Sequence, residues 1–158
     1  GYYDDQFLAF DLREFTPIER CKIVERAIEK AQNNISYVVI DGIADLAMAI
    51  NDEIEASRVV SLLMKWTKLY NIHITLVIHQ NKNDEYATGH LGSAILKKAE
   101  CIINVKKDLT NTLRSEVSCN LIRGAMDFDT FSFLINEYGL PVVDEDEVYL
   151  KDRDIPRF

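Results

Sequence analysis

Apolar and polar residues repeat along this chain with two periods, and the switches between them predict its elements. Phe7 to Leu12 (FLAFDL) reads as a strand. Thr16-Pro17-Ile18-Glu19 then has the makings of a helix start: Thr as N-cap, Pro in the first turn, and Glu three positions on to close a capping box. Ile18, Cys21, Val24, Ile28 and Ala31 come next at helical spacing and build one apolar stripe. Asn33-Asn34 ends that helix. Tyr37-Val38-Val39-Ile40 is a short unbroken apolar run closed by Asp41 and Gly42, the pattern of a strand buried on both faces.

A loop or partial helix covers Ile43 to Ile50, and Asn51 or Asp52 can cap a second helix. Its apolar positions are Val59, Leu62, Leu63, Trp66, Leu69 and Tyr70, with Met64 beside Trp66 also read as core. Ile72 to Ile78 is a second buried strand that ends at His79-Gln80. Leu91 to Lys98 reads as a short helix and Cys101 to Val105 as a strand. Ser115 to Ile122 and Thr130 to Ile135 alternate more and read as a closing antiparallel pair. No internal repeat or low-complexity segment interrupts this order.

Strands alternating with helices are the mark of βαβ units, whose crossovers are right-handed, so the expected fold class is α/β with helices covering a mainly parallel sheet. Ligands gather at the carboxyl ends of such strands. Two strand tips carry polar groups, Asp41 on one and His79-Gln80 on the other. In a parallel sheet those tips share one edge.

Composition narrows the function classes. The chain has 158 residues, 47% hydrophobic and 28% charged, the balance of one ordinary globular domain. That excludes a disordered chain, a collagen-like repeat and a disulfide scaffold. Lys and Arg number 18 and Asp and Glu 26, for a net charge of −8. A chain this acidic is not coated in nucleic-acid affinity, so any such contact is a local patch. Residues 61–114 carry 8 basic and 4 acidic residues, the one basic stretch. No apolar run approaches the ~18 residues of a membrane span. Cys21, Cys101 and Cys119 lie far apart in apolar runs and read as small buried hydrophobes in a reducing compartment, the cytoplasm. Asp144, Glu145, Asp146 and Glu147 open a solvated acidic tail over residues 143–158, set apart from a domain over residues 1–142. The chain opens at Gly1 without Met and enters a structured pattern at once, so a processed or truncated product is expected.

Each candidate group has a chemical and a structural reading. Asp41 can hold Mg²⁺ through water, or it simply suits the turn that closes a strand. His79 and Gln80 can sense a terminal phosphate or polarise water, or they form a hydrogen-bonded strand end; His73 is structural. Gly89-His90-Leu91-Gly92-Ser93 enters a short helix whose N–H groups can take an anion, or it is a turn with a Ser cap. Lys82, Lys97 and Lys98 flank it and can touch a nucleic-acid backbone, with His90 and Ser93 between them. No aromatic interleaving supports base readout. Arg123, after the Cys119 strand, can stabilise phosphate charge across a subunit interface, or it is an ordinary surface arginine. The chain contains no GxxxxGK[ST] loop and no GxSxG elbow.

Three stretches taken in order, YVVIDGIADL, MKWTKLYNIHITLVIHQNK and GHLGSAILKKAECIINVKK, resemble the RecA-fold ATPases of the RepA and DnaB helicase group. The likeness is greatest to ATPase-like proteins of mobilisable transposons and spans Phe7 to Pro141. It implies a RecA-like sheet truncated at its N-terminal side, with the phosphate loop and a catalytic Glu upstream of Gly1. It implies that Asp41 is the Mg²⁺-associated carboxylate, that His79 and Gln80 sense the terminal phosphate with Asn81-Lys82 completing the signature, and that residues 83–93 face DNA. Arg123 resembles the residue offered to a neighbour's nucleotide, and Thr88 stands where a basic residue is expected. The expected function is a C-terminal portion of a DNA-dependent ATPase, a helicase-like enzyme of a mobile element. ATP and Mg²⁺ are its cofactors in the intact protein, with neither bound nor hydrolysed by this chain alone. DNA and further copies of the chain are the expected partners, and no membrane is expected. Two alternatives stand beside it: a degenerate RecA-fold assembly or DNA-accessory module, and an α/β domain with a small-molecule pocket at the strand tips. Truncation also predicts an exposed sheet edge and self-association.

Overall fold

The computed structural model describes residues 7–31, 34–80 and 89–144. They fall into two compact units, Gly1–Lys98 and Ala99–Phe158.

In the first unit, helix α1 (Pro17–Ala31) starts at the expected capping box. Thr16 donates from Oγ1 and from its backbone N to Glu19 Oε2 at 2.7 and 2.9 Å. Those bonds from Thr16 hold the Glu19 carboxyl below its ordinary pKa. Strand β1 (Tyr37–Asp41) leads into a 3₁₀ turn (Ile43–Leu46) and then helix α2 (Glu53–Tyr70). Asp52, one of the two expected caps, accepts from Glu55 N at 2.8 Å. Helix α2 ends at Asn71 in the left-handed region (φ 52°), a conformation Asn tolerates better than most residues. Strand β2 (His73–Val77) returns parallel to β1, pairing Tyr37 with His73 and Asp41 with Val77. Helix α3 (Gly89–Leu96) closes the unit. The core joins Cys21 and Ile28 of α1, Ile40 of β1, Ile43 and Leu46 of the turn, Val59, Leu63 and Trp66 of α2, and Leu91 and Ile95 of α3.

Four expectations change here. Residues 7–12 form no strand, and Phe7, Leu8 and Phe10 are exposed. The carbonyls of Leu12 and Arg13 accept from the Arg20 guanidinium at 2.9 and 3.1 Å rather than from a neighbouring strand. Strand β1 is buried on one face only: Val38 and Ile40 meet the core while Tyr37 and Val39 are exposed. Met64 and Leu69 also face solvent, so the stripe of α2 is narrower than its apolar content. Of the cysteines only Cys21 is buried; Cys101 is exposed, Cys119 is half-buried, and all three are free.

The second unit is an antiparallel sheet in the order β3 (Cys101–Lys107), β4 (Arg114–Ile122), β5 (Phe131–Ile135), β6 (Pro141–Val143). The expected antiparallel pair is its centre, β4 and β5. The sheet is larger than a pair because β3 runs antiparallel to β4, with a register shift between Ile102 and Ile103, and β6 extends it beyond β5. Asp144, expected in a solvated tail, is buried and pairs with Arg114 Nε at 2.9 Å. Its carboxylate has a fixed counter-charge, which offsets the cost of burial. Glu145, Asp146 and Glu147 lie outside the described residues.

Candidate functional site

The parallel pairing of β1 and β2 sets the geometry of the strand tips. Asp41 stands opposite Val77, so His79 and Gln80, two and three residues beyond, leave the sheet at the same edge as Asp41. All three are exposed. The Asp41–Gly42 peptide is cis. A Cβ added at Gly42 would sit 3.5 Å from Val77 O, so the chain leaves Asp41 in contact with the end of β2.

The turn beyond Asp41 is tightly held. Ile43 is fully buried and Leu46 nearly so. Two arginines bind the carbonyls of this turn. Arg20 Nη1 donates to Asp45 O at 3.0 Å, while its other nitrogens take Leu12 O and Arg13 O. Arg58 Nη2 donates to Leu46 O at 3.0 Å, and Arg58 grips Glu55 through Nε and Nη2 at 2.8 and 2.7 Å. Glu55 Oε1 in turn accepts from Met48 N at 2.8 Å. Cys21 Sγ donates to Leu46 O at 3.5 Å. Sequence reasoning missed these groups. The Glu55–Arg58 spacing of three was a visible signal on α2; the reach of Arg20 and Arg58 to distant carbonyls was not.

The Arg58 hydrogen bonds, then the Met48 N–H, lower the Glu55 pKa from 4.5 to about 2. A depressed carboxyl stabilises the fold above its unfolded pKa, and that contribution is lost as pH falls through the folded value. The urea midpoint of the native chain is therefore expected to drop between about pH 4.5 and 2 more steeply than that of Glu55→Gln. Identical slopes for the two would show that the pair contributes nothing.

The Gly89 loop is built for docking. Gly89 has φ +72°, and a Cβ there would lie 2.5 Å from Asn51 Oδ1 and 2.7 Å from Ile50 O. Leu91 N donates to that same Ile50 carbonyl at 3.0 Å. This seats α3 against the chain entering α2 and buries Leu91. His90 is exposed in the first turn. Ser93 lies within the helix and is not its cap; its Oγ donates back to Gly89 O at 3.3 Å. Lys97 and Lys98 are exposed just beyond the helix end, so α3 and the turn after it carry His90, Ser93 and both lysines. Lys82 and residues 83–88, Thr88 among them, lie outside the described residues.

Arg123 belongs to the second unit. It lies just past β4, donates from Nε to Ala99 O at 2.9 Å and from its backbone N to Glu100 O at 2.8 Å, and is exposed. His73 stacks on Tyr37 with ring centroids 5.6 Å apart, at the end of β2 away from the tips.

Among the described residues no group of three or more His, Cys, Asp or Glu could hold a metal ion. Asp41 is one carboxylate at the tip. That donor set fits Mg²⁺ held largely by water and phosphate oxygens, and does not fit a site made of protein ligands alone. No described helix is long and apolar enough to cross a membrane.

No protein-family model matches the chain, and no curated protein matches it. Among solved structures it is similar to the RadB recombinase, with a TM-score of 0.56 and 18% sequence identity over 82% of this chain. The matched part spans 60% of that structure's length. Likeness at this identity is a likeness of fold. That likeness makes this chain an α/β protein of RecA-like fold, with a parallel β1–β2 pair in one unit and an antiparallel sheet in the other.

Proposed function

We propose that this chain is the C-terminal portion of a RecA-type ATPase that acts on DNA, in replication or mobilisation of a mobile element. The observation that carries the reading is the shared edge of Asp41, His79 and Gln80 at the carboxyl ends of two parallel strands. Asp41 would hold the Mg²⁺ of a bound ATP through water, and His79 and Gln80 would hydrogen-bond toward its terminal phosphate. The metal ion would neutralise charge that develops on the phosphoryl oxygens. The phosphate-cradling loop would come from sequence beyond this chain, so these residues are part of a nucleotide site. The fold likeness to a recombinase supports a DNA substrate. Arg123 would serve the nucleotide of a neighbouring copy.

His90, Ser93, Lys97 and Lys98 on and after α3, together with Lys82, would grip backbone phosphates without reading bases. The logarithm of such an affinity falls linearly with the logarithm of salt concentration, with a slope of about 0.7 per phosphate contact on single strands. Anisotropy of a fluorescent single-stranded oligonucleotide, titrated with the chain at several salt concentrations, is expected to give such a slope. Replacing both Lys97 and Lys98 by Ala should lower its magnitude by about 1.4, two contacts at about 0.7 each. A slope unchanged by the double substitution would remove these lysines from the interface.

The second reading is an assembly or DNA-accessory module without turnover. It is favoured by one observation, the lack of a GxxxxGK[ST] loop in these 158 residues.

A further inference from the structure

We infer that Arg20 and Arg58 are positioning residues that clamp the turn after Asp41 and so fix where the Asp41 carboxylate stands; the inference rests on the strand-tip reading above. Asp41 itself is exposed; Val77 of β2 is its register partner, and along the chain it stands between β1 and the short turn. That turn is one 3₁₀ stretch of four residues, Ile43–Leu46, whose hydrogen bonds have poorer geometry than those of an α-helix. It is held from two sides by guanidinium groups. From α1, Arg20 reaches Asp45 O at 3.0 Å and stands 3.8 Å from the Asp45 carboxylate, while gripping Leu12 O and Arg13 O. From α2, Arg58 reaches Leu46 O at 3.0 Å and holds Glu55, which holds Met48 N. The planar fork of arginine allows one side chain to bind three such acceptors at once, which the single ammonium of lysine does not do in the same geometry. The turn has two backbone bonds of its own, Asp45 N to Gly42 O at 3.1 Å and Ala47 N to Ala44 O at 3.2 Å, and the charge-assisted bonds add ties to both helices and to the segment that enters α1.

A positioning role makes a local prediction that general stabilisation does not. In Arg20→Met and Arg58→Met, hydrogen-exchange protection of the Asp45, Ala47 and Met48 amides should fall at least tenfold. Protection of the β2 amides Ile74 and Leu76 should stay within about twofold. Mn²⁺ alone, titrated into the ¹⁵N-labelled chain as a paramagnetic probe of Asp41, should broaden the Gly42 amide. In either variant the half-broadening concentration should rise several-fold, and Arg58→Lys should not restore it. Asp41→Asn separates the two ideas. If it leaves the broadening unchanged, the metal role of Asp41 fails, while the exchange pattern still decides the clamp. Protection that is unchanged in the turn, or lost evenly across α1, α2 and β2, would overturn the clamp whatever Asp41 does. If a Met variant does not fold, Arg58→Lys carries the exchange comparison, with the same local loss expected.

Discussion

Gly89→Ala is expected to destabilise the first unit by about 3 kcal/mol. Two physical effects add. The backbone at Gly89 has φ +72°, where an L side chain costs roughly 1 kcal/mol. The new Cβ would also lie 2.7 Å from Ile50 O, and overpacking against backbone costs about 1–3 kcal/mol because the backbone cannot swing away. Relief requires α3 to back off from Ile50 and Asn51, which would weaken the Leu91 N–H bond to Ile50 O and uncover Leu91 and Ile95. Gly139→Ala is the built-in control. Gly139 has φ +76° with nothing within 4 Å of its Cβ position, so only the conformational cost of about 1 kcal/mol applies. Urea denaturation of the two variants should separate them by about 2 kcal/mol. Equal losses would mean that α3 is not seated on the α2 entrance as described, and the placement of His90, Ser93, Lys97 and Lys98 would go with it.

If the proposed nucleotide site is right, Asp41→Ala in a protein that also carries a phosphate loop is expected to lower ATP turnover by about 10²–10³-fold, with little change in thermal stability. The carboxylate is exposed at a strand tip, so its removal leaves no cavity and no buried partner unpaired. The loss should be in kcat more than in KM, because charge on the transferring phosphoryl group develops beyond the ground state. Asp41→Asn, which keeps shape and removes charge, should fall nearly as far. Turnover within twofold of the native level in both variants would leave Asp41 as a turn residue.

The legible parts of the fold were those governed by local rules. The capping box at Thr16 and Glu19, the Asp52 cap and the helices expected from three-and-four spacing each depend on residues within a turn of one another, and each stands in the structure, although Ile18 of the α1 stripe and Leu69 of the α2 stripe are exposed. The β1 and β2 tips were legible for the same reason: an apolar run ends abruptly in polar residues. What failed depended on partners far along the chain. FLAFDL has the composition of a strand, yet its last carbonyl binds Arg20 eight residues on. Tyr37 and Val39 have the hydrophobicity of a buried face, but burial needs a covering layer, and the described core packs on the other side. Asp144 reads as tail because it opens an acidic run; only the pairing of β6 with β5 brings it to Arg114. In the candidate site the polar strand-tip residues Asp41, His79 and Gln80 were visible, while the arginines that bind the turn beside them were not. An arginine bound to backbone carbonyls leaves no mark in the side-chain pattern of its partners.

On the proposed reading these strand tips are part of a nucleotide site. The most direct test is to read the coding sequence immediately upstream of the Gly1 codon. An in-frame GxxxxGK[ST] loop with a strand ending in Glu after it is the expected result, and it would complete the phosphate grip that Asp41, His79 and Gln80 face. An initiation codon directly before Gly1, with no such loop, would contradict the claim and leave a RecA-like module that does not hydrolyse ATP.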